Sequence, residues 1–371
     1  MKNKKCPSCG QDMKRNGKTS AGTQRWRCKT CGASAVHTND TTARELDAFL
    51  GWLLGKGSQL DMPGQGRSFR RLASRFWGIW PMPEPDGVVH RVVYVDGIYV
   101  ARNVVVLIAC SDEHVLSWYL ARSESVRAWK ALLSRIAPPD VVVTDGGTGF
   151  ATAVAEEWPQ TKVQRCLFHV FCQVKRQTTT RPKLQAGIEI YGLAKELMHL
   201  EDLHQAEWWV ERYMQWGSFW SDFLEDKTVV EGRWEYTHAR LRTARNGLNT
   251  LLNKNLLFTY LDPQLTQQGP LPRTNNRIEG GVNAQLRAVL RNHRGLSLMR
   301  RIKAIYWWCY MHAECPLPAA ELLKSMPRDE DIDLLYKTYA AAPKHDDGPS
   351  WGEAPVWEEL HHRTPYPKAI V

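Results

Sequence analysis

No apolar run in this 371-residue chain approaches the roughly 20 residues that a membrane span requires. Val104 to Cys110 has the length of a buried strand, and Ala304 to Ala313 is broken by Tyr306, Tyr310 and His312. Met1-Lys2-Asn3-Lys4-Lys5-Cys6 carries charge with no apolar stretch behind it, so a secretory leader is not expected. No internal repeat at a fixed period is found, which argues against a solenoid or propeller. Acidic residues are outnumbered, 39 against 49 Lys and Arg, and the formal charge of +10 favours a polyanionic partner such as DNA. A hydrophobic fraction of 43 % argues against disorder as the dominant state. Of nine Cys, four form a metal pattern and five are scattered, which suits a reducing compartment better than a disulfide framework. A soluble, cytoplasmic protein is the expectation.

What is present divides the chain. Residues 1–36 are short, polar and punctuated by Cys. Residues 41–80 have helical periodicity, with Ala43, Leu46, Phe49, Leu50 and Leu53, then a Gly- and Pro-containing break, then Phe69, Leu72, Ala73 and Phe76. Pro81, Pro83 and Pro85 mark a boundary. Beyond it the period changes. Val92 to Val100, Val104 to Cys110, Val115 to Leu120, Val141 to Val143 and Lys162 to Phe168 read as strands, with helices at Ser123 to Ile136 and Phe150 to Trp158. That order requires a mixed sheet in an α/β fold spanning residues 88–170. Residues 171–270 read as an all-helical insertion and 271–315 as a return to the core. The Pro-rich tail, 316–371, is expected to be peripheral. Sixteen Trp are fillers for cores or stacking platforms for bases, and the sequence alone does not separate these uses.

Two C-x-x-C-G knuckles stand at Cys6-Pro7-Ser8-Cys9-Gly10 and Cys28-Lys29-Thr30-Cys31-Gly32, with 18 residues between Cys9 and Cys28. Two residues between thiolates allow one tight turn to offer both sulfurs to a tetrahedral ion, and the Gly relieves the strain of that turn. One structural Zn²⁺ is expected on Cys6, Cys9, Cys28 and Cys31. Arg25 and Arg27 flank Trp26 between the knuckles, a pattern that fits DNA contact, although zinc ribbons also bind protein. Arg67, Arg70 and Arg71 alternate with Phe69 and Leu72. They fit either a helix-turn-helix that meets phosphates and base edges or a linker bundle with a solvated basic face.

Asp96 closes an apolar strand in Val93-Tyr94-Val95-Asp96-Gly97, and Asp145 another in Val142-Val143-Thr144-Asp145-Gly146-Gly147. Glu279 lies in Thr274-Asn275-Asn276-Arg277-Ile278-Glu279, where either Asn can cap a helix. Carboxylates at the ends of neighbouring strands can share hard divalent cations, and two such ions suit phosphodiester chemistry. Arg287, Arg291 and Arg294 repeat at helical spacing after Glu279, and Arg300, Arg301 and Lys303 follow, either as a solvated face or as a phosphate track.

Asp96, Asp145, the motif Cys166-Leu167-Phe168-His169, and Glu279 in its Thr-Asn-Asn context together resemble the DDE transposases of the bacterial insertion-sequence and Mutator-like superfamily, over roughly residues 88–312. The resemblance implies an RNase H-like core with the catalytic Asp residues on adjacent parallel strands. It also implies a helical insertion before the Glu, and here 133 residues separate Asp145 from Glu279. Implied with it are Mg²⁺ or Mn²⁺ as a two-ion cofactor, duplex DNA (transposon ends and target) as partner, a homodimer or higher oligomer on DNA, and association with the nucleoid. Cys166 and His169 are the family's signature near the active site. On residues alone they also look like half a metal site, with Cys172 as a candidate third ligand, but no fourth ligand is apparent. Two other functions remain open. One is a domesticated, non-catalytic DNA-binding regulator, which would not need three carboxylates. The other is a nuclease of the same fold that does not join strands.

Overall fold

The structure is a computed structural model, and it describes residues 4–36 and 41–341. Three short strands, β1 (Met13–Lys18), β2 (Gln24–Cys28) and β3 (Ser34–Val36), form an antiparallel sheet at the N-terminus. Its core is small: Cys6, Met13 and Cys28, with Trp26, Ala33 and Ala35 against them. Helices α1 (Thr42–Leu54) and α2 (Arg67–Ala73) follow. Next come β4 (Val92–Ala101), β5 (Val104–Cys110), β6 (Val115–Ala121), α3 (Val126–Leu133), β7 (Val141–Thr144), α4 (Thr148–Glu157) and β8 (Lys162–Arg165).

The five strands form one sheet in the order β6-β5-β4-β7-β8. β5 runs antiparallel to both its neighbours, while β7 and β8 run parallel to β4. Side chains alternate between faces. Val93, Val95 and Val142 pack with Trp129, Leu132, Phe150 and Trp158 of α3, α4 and the residue that ends α4. Val92, Tyr94, Ile98, Val141 and Val143 face the larger core on the other side. The same parity assigns Asp96 and Asp145 to that second face.

Helices α5 (Leu167–Thr178), α6 (Gln185–Leu197), α7 (Leu203–Phe219) and α8 (Ser221–Glu225) come after the sheet. The hairpin β9 (Lys227–Val230) and β10 (Arg233–Tyr236), then α9 (Ala239–Asn253) and α10 (Pro263–Thr266), complete the insertion. It is therefore not all-helical. Val229, Val230, Trp234 and Tyr236 favour strand, and Glu231 and Gly232 both adopt positive φ in the connecting turn. A π-helical turn, Arg277–Asn283, leads into α11 (Ala284–Asn292), followed by α12 (Leu298–Met311), α13 (Ala319–Ser325) and α14 (Asp329–Ala341).

Two expectations need correction here. The segment after residue 316 is not peripheral as far as residue 341: Leu322 and Ile332 belong to the main core, and α13 packs on α1. Lys303, read from sequence as one of the basic residues following Arg300 and Arg301, is buried instead. Its Nζ donates to Trp77 O and to Asp329 Oδ1, both at 2.5 Å, and Trp80 Nε1 donates to the same Asp329 oxygen at 2.8 Å. This buried charge is paired, as burial of an ammonium requires. It ties α14 to α12 and to the linker before β4. The remainder of the tail, 342–371, lies outside the described residues. Among the described residues no helix is long and apolar enough to cross a membrane.

Candidate active site

β4 and β7 pair in register Val92↔Val141, Val93↔Val142, Tyr94↔Val143. Asp145 directly follows β7, which ends at Thr144, whereas β4 runs on to Ala101, so Asp96 sits in mid-strand and does not close it as expected. Continuing the parallel register brings the two Asp residues to neighbouring positions. Burial, then the charge of Asp145, then Glu279 and Glu124 push the Asp96 carboxyl up to about 7. Its two oxygens are held apart: Gly97 N donates to Oδ1 at 2.8 Å, and Asn283 Nδ2 donates to Oδ2 at 2.6 Å.

The glycines explain the Asp-Gly motifs. Gly146 has φ +88°, and a Cβ there would come within 2.0 Å of the Arg165 guanidinium carbon. Arg165 is buried and donates to Thr144 O at 3.3 Å. Burial lowers its pKa while the charge of Asp145 opposes that, so it is a buried cation beside the second carboxylate. At Gly97 a Cβ would meet Glu124 Oε1 at 2.7 Å.

Glu124, just before α3, was not found from sequence. Its carboxyl is raised by burial and by Asp145, with Tyr99 hydrogen-bonded to it. It is a lone Glu in Ser-Glu-Ser with no motif, and the signal is indirect: Gly97 leaves room for its carboxylate and Gly149 for its backbone carbonyl. Asn283 was also missed, because a buried Asn two turns into a helix has no sequence signature.

Glu279 reaches this end of the sheet on the π-helical turn. The expected Asn cap is absent as such: neither Asn275 nor Asn276 makes a side-chain cap bond. Asn275 is buried and works differently. Its Nδ2 donates to Val95 O at 3.0 Å, its backbone N donates to Cys166 Sγ at 3.2 Å, and its carbonyl accepts from Ile278 N and Glu279 N. Arg277 adds a clamp, donating to the carbonyls of Asp112 and Glu113. The turn carrying Glu279 is thus stapled to the strand residue before Asp96.

Among the described residues, the ligand atoms of Asp96, Asp145 and Glu279 do not converge as one set within 4.8 Å; Glu279 converges instead with Cys166 and His169. The expected strand 162–168 stops at Arg165, and Cys166 is the N-cap residue of α5, which places His169 in its first turn. His169 Nδ1 lies 3.2 Å from Glu279 Oε1. Cys166 and Glu279 beside it push His169 up to about 10.

At the N-terminus, Cys6, Cys9, Cys28 and Cys31 bring four sulfurs within 4.8 Å of one another. Cys6–Cys31 and Cys9–Cys28 are each 3.5 Å apart, close to the roughly 3.7 Å edge of a tetrahedron with 2.3 Å zinc–sulfur bonds. Gly10 and Gly32 both have φ +73°, and their N–H groups close the knuckles on Cys6 O and Cys28 O. Backbone N–H groups of Cys31 and Thr30 lower Cys28 to about 6, favouring its thiolate. The donor set fits zinc. Arg25 and Arg27 are exposed on β2 on either side of Trp26.

Arg67, Arg70 and Arg71 are exposed on α2, while Phe69 and Ala73 of that helix are buried. α1 supplies Leu46, Phe49, Leu50 and Leu53 to the same core as the sheet. Arg287 and Arg291 are exposed on α11, and Arg294 is exposed just past its end.

A family model described as MULE transposase domain matches residues 93–173. The match runs from β4 into α5 and so contains Asp96, Asp145, Cys166 and His169; it ends before Glu279. No curated protein matches the chain. The match supports a Mutator-like transposase, a class of DNA-processing enzyme, with DNA as the partner that class implies.

Proposed function

We propose that the protein is a DDE transposase with an RNase H-like core, which cleaves DNA at the ends of an insertion sequence and joins the freed 3′ ends to target DNA. The observation that carries this reading is the parallel β4–β7 pair. Its register brings Asp96 and Asp145 to neighbouring positions within the matched domain, and the turn carrying Glu279 is bonded to β4 at Val95, the residue before Asp96. The carboxylates fit Mg²⁺ or Mn²⁺. They are hard oxygen donors, and burial together with their mutual charge pushes Asp96 up. Bound there, two such ions would supply the positive charge that activates an attacking oxygen and stabilises the leaving one.

The chain's own residues do the rest. Asp96, Asp145 and Glu279 would hold the ions. Asn283 and Gly97 fix the orientation of Asp96. Arg165 offsets part of the negative charge at Asp145. Glu279 Oε1 lies 3.2 Å from His169 Nδ1, which keeps the carboxylate against the start of α5. Cleavage exchanges one phosphorus–oxygen bond to the 3′ oxygen for one to water. Joining exchanges a target bond for one to the freed 3′ hydroxyl.

Exposed Arg287, Arg291 and Arg294 follow Glu279 and form a track for phosphates, and the ribbon with Arg25 and Arg27 reads the terminal inverted repeats. Arg67, Arg70 and Arg71 add a second basic face. Two ends must be handled together, which makes a dimer or larger assembly on DNA part of the proposal. The domains follow as proposed: ribbon 1–36, helical segment 41–80, core 88–170 and 271–315, insertion 171–270.

The test is cleavage and binding of a duplex carrying the repeats that flank the gene. Removing residues 1–40 should abolish preference for repeats over random duplex while leaving salt-sensitive binding. Undiminished preference would remove the ribbon from end recognition. The deletion stops at 40 because α1 and the Trp77–Trp80 segment belong to the main core.

A further inference from the structure

The least explained feature of this end of the sheet is the pair of side chains that faces Cys166. His169 Nδ1 and Glu279 Oε1 are both buried atoms without a hydrogen-bond partner, yet they lie 3.2 Å apart. A simple ion pair would align the N–H on the oxygen and satisfy both atoms. Instead the contact is close and misaligned, and the Cys166 sulfur, a His169 ring nitrogen and a Glu279 oxygen all lie within 4.8 Å of one another. Nitrogen and oxygen ligands of one tetrahedral zinc sit about 3.3 Å apart, given bonds of about 2.0–2.2 Å.

We infer that Cys166, His169 and Glu279 form a transition-metal site for Zn²⁺, separate from the N-terminal ribbon and seated against the acidic cluster. Its chemistry differs from that of the Asp pair. A thiolate and an imidazole select zinc or a similar borderline ion over Mg²⁺. Cys166 and His169 are three residues apart at the start of α5, so one helical turn presents both. The third ligand arrives from 110 residues beyond His169, on the π-helical turn, which is why no local motif completes the set.

The surrounding bonds support the ligand role. Asn275 N donates to Cys166 Sγ, the kind of donor that stabilises a ligating thiolate, and Asn275 Nδ2 anchors the same residue to Val95 O. Cys172, further along α5, does not join the group. Three protein ligands leave a fourth position open. An ion there fixes α5 to the turn bearing Glu279 and sets the direction of that carboxylate.

The experiment is zinc counting on reduced, full-length protein after exhaustive dialysis, in three forms: wild type, Cys166→Ser and His169→Gln. It reports on binding even if the protein never cuts DNA, so its failure and the failure of the cleavage reading are distinguishable. Each variant should carry about one equivalent less zinc than wild type. Cobalt-substituted wild type should lose part of its sulfur-to-cobalt charge-transfer absorption in Cys166→Ser, while Cys9→Ser removes a different part. Near-ultraviolet circular dichroism checks that each variant is folded, and the half-exposed His169 position keeps the test valid if Cys166→Ser does not fold. An unchanged zinc count in folded His169→Gln, or in both variants, would overturn the site.

Discussion

Asn283 Nδ2 donates to Asp96 Oδ2 across 2.6 Å, so the π-helical turn that carries Glu279 also holds the carboxylate in the middle of β4. Asn283 is fully buried, and its own Oδ1 has no hydrogen-bond partner. Asn283→Ala should cost roughly 1–3 kcal/mol of stability, because it leaves the buried Asp96 Oδ2 without its donor even as it removes an unsatisfied acceptor. Asn283→Asp should cost more, since it also buries another carboxylate beside Asp96. Both should slow cleavage by releasing Asp96. Thermal melts of the two variants check the order, and an Asp variant as stable as the Ala variant would contradict it.

The pH dependence of the Mg²⁺-free protein has a defined sign. Asp96 stands at about 7 in the fold against 3.8 for an ordinary aspartate. The folded state takes up this proton first, so Asp96 opposes folding at pH above 7, and stability is gained as pH falls from there toward 4. His293, lowered by burial, acts in the opposite direction below 6.5. Between pH 8 and 6.5 His169, pushed up to about 10, adds stability in the same direction and Cys28, lowered to about 6, opposes it, so the Asp96 effect is the difference between wild type and Asp96→Asn in denaturant midpoints over that window. Wild type should gain more stability than Asp96→Asn as pH falls. Equal slopes for the two proteins would show that Asp96 is not raised.

Adjacent glycines should separate by geometry. Gly146→Ala must adopt φ +88° and displace the buried Arg165 guanidinium, whereas at Gly147 the nearest atom to an added Cβ, Glu124 Oε2, is an ordinary 3.7 Å away. Gly146→Ala should lose roughly 1–3 kcal/mol and most cleavage activity, and Gly147→Ala much less. Comparable losses would mean that the turn at Asp145 is not shaped by Arg165.

Much of the sheet was legible because β4, β5 and β7 are β-branched runs that turns terminate, and parity along such runs fixes which face each Asp shares. The ribbon was legible because thiolate spacing is local. What could not be read depends on contacts distant in sequence. The strand through 168 was drawn too long because Cys166 is apolar enough to continue it, and only its contact with Asn275 shows why the helix starts there. The β9–β10 hairpin is fully exposed and short, so it lacks the alternation that marks a half-buried strand. Glu124 and Asn283 have their roles through neighbours that lie far away along the chain. The Trp question resolves toward packing: Trp80, Trp118, Trp158, Trp209 and Trp307 are fully buried, while Trp208 and Trp234 remain exposed.

The most direct measurement of the central claim is cleavage of a labelled terminal-repeat duplex in Mg²⁺ or Mn²⁺ by Asp96→Asn, Asp145→Asn and Glu279→Gln, with binding assayed in parallel. An amide cannot replace a carboxylate as an anionic metal ligand at equal strength. Each substitution should therefore reduce strand cleavage by at least about 100-fold while leaving DNA binding within a few-fold of wild type. Near-normal cleavage by any one folded variant would remove that residue from the site, and near-normal cleavage by both aspartate variants would contradict the account.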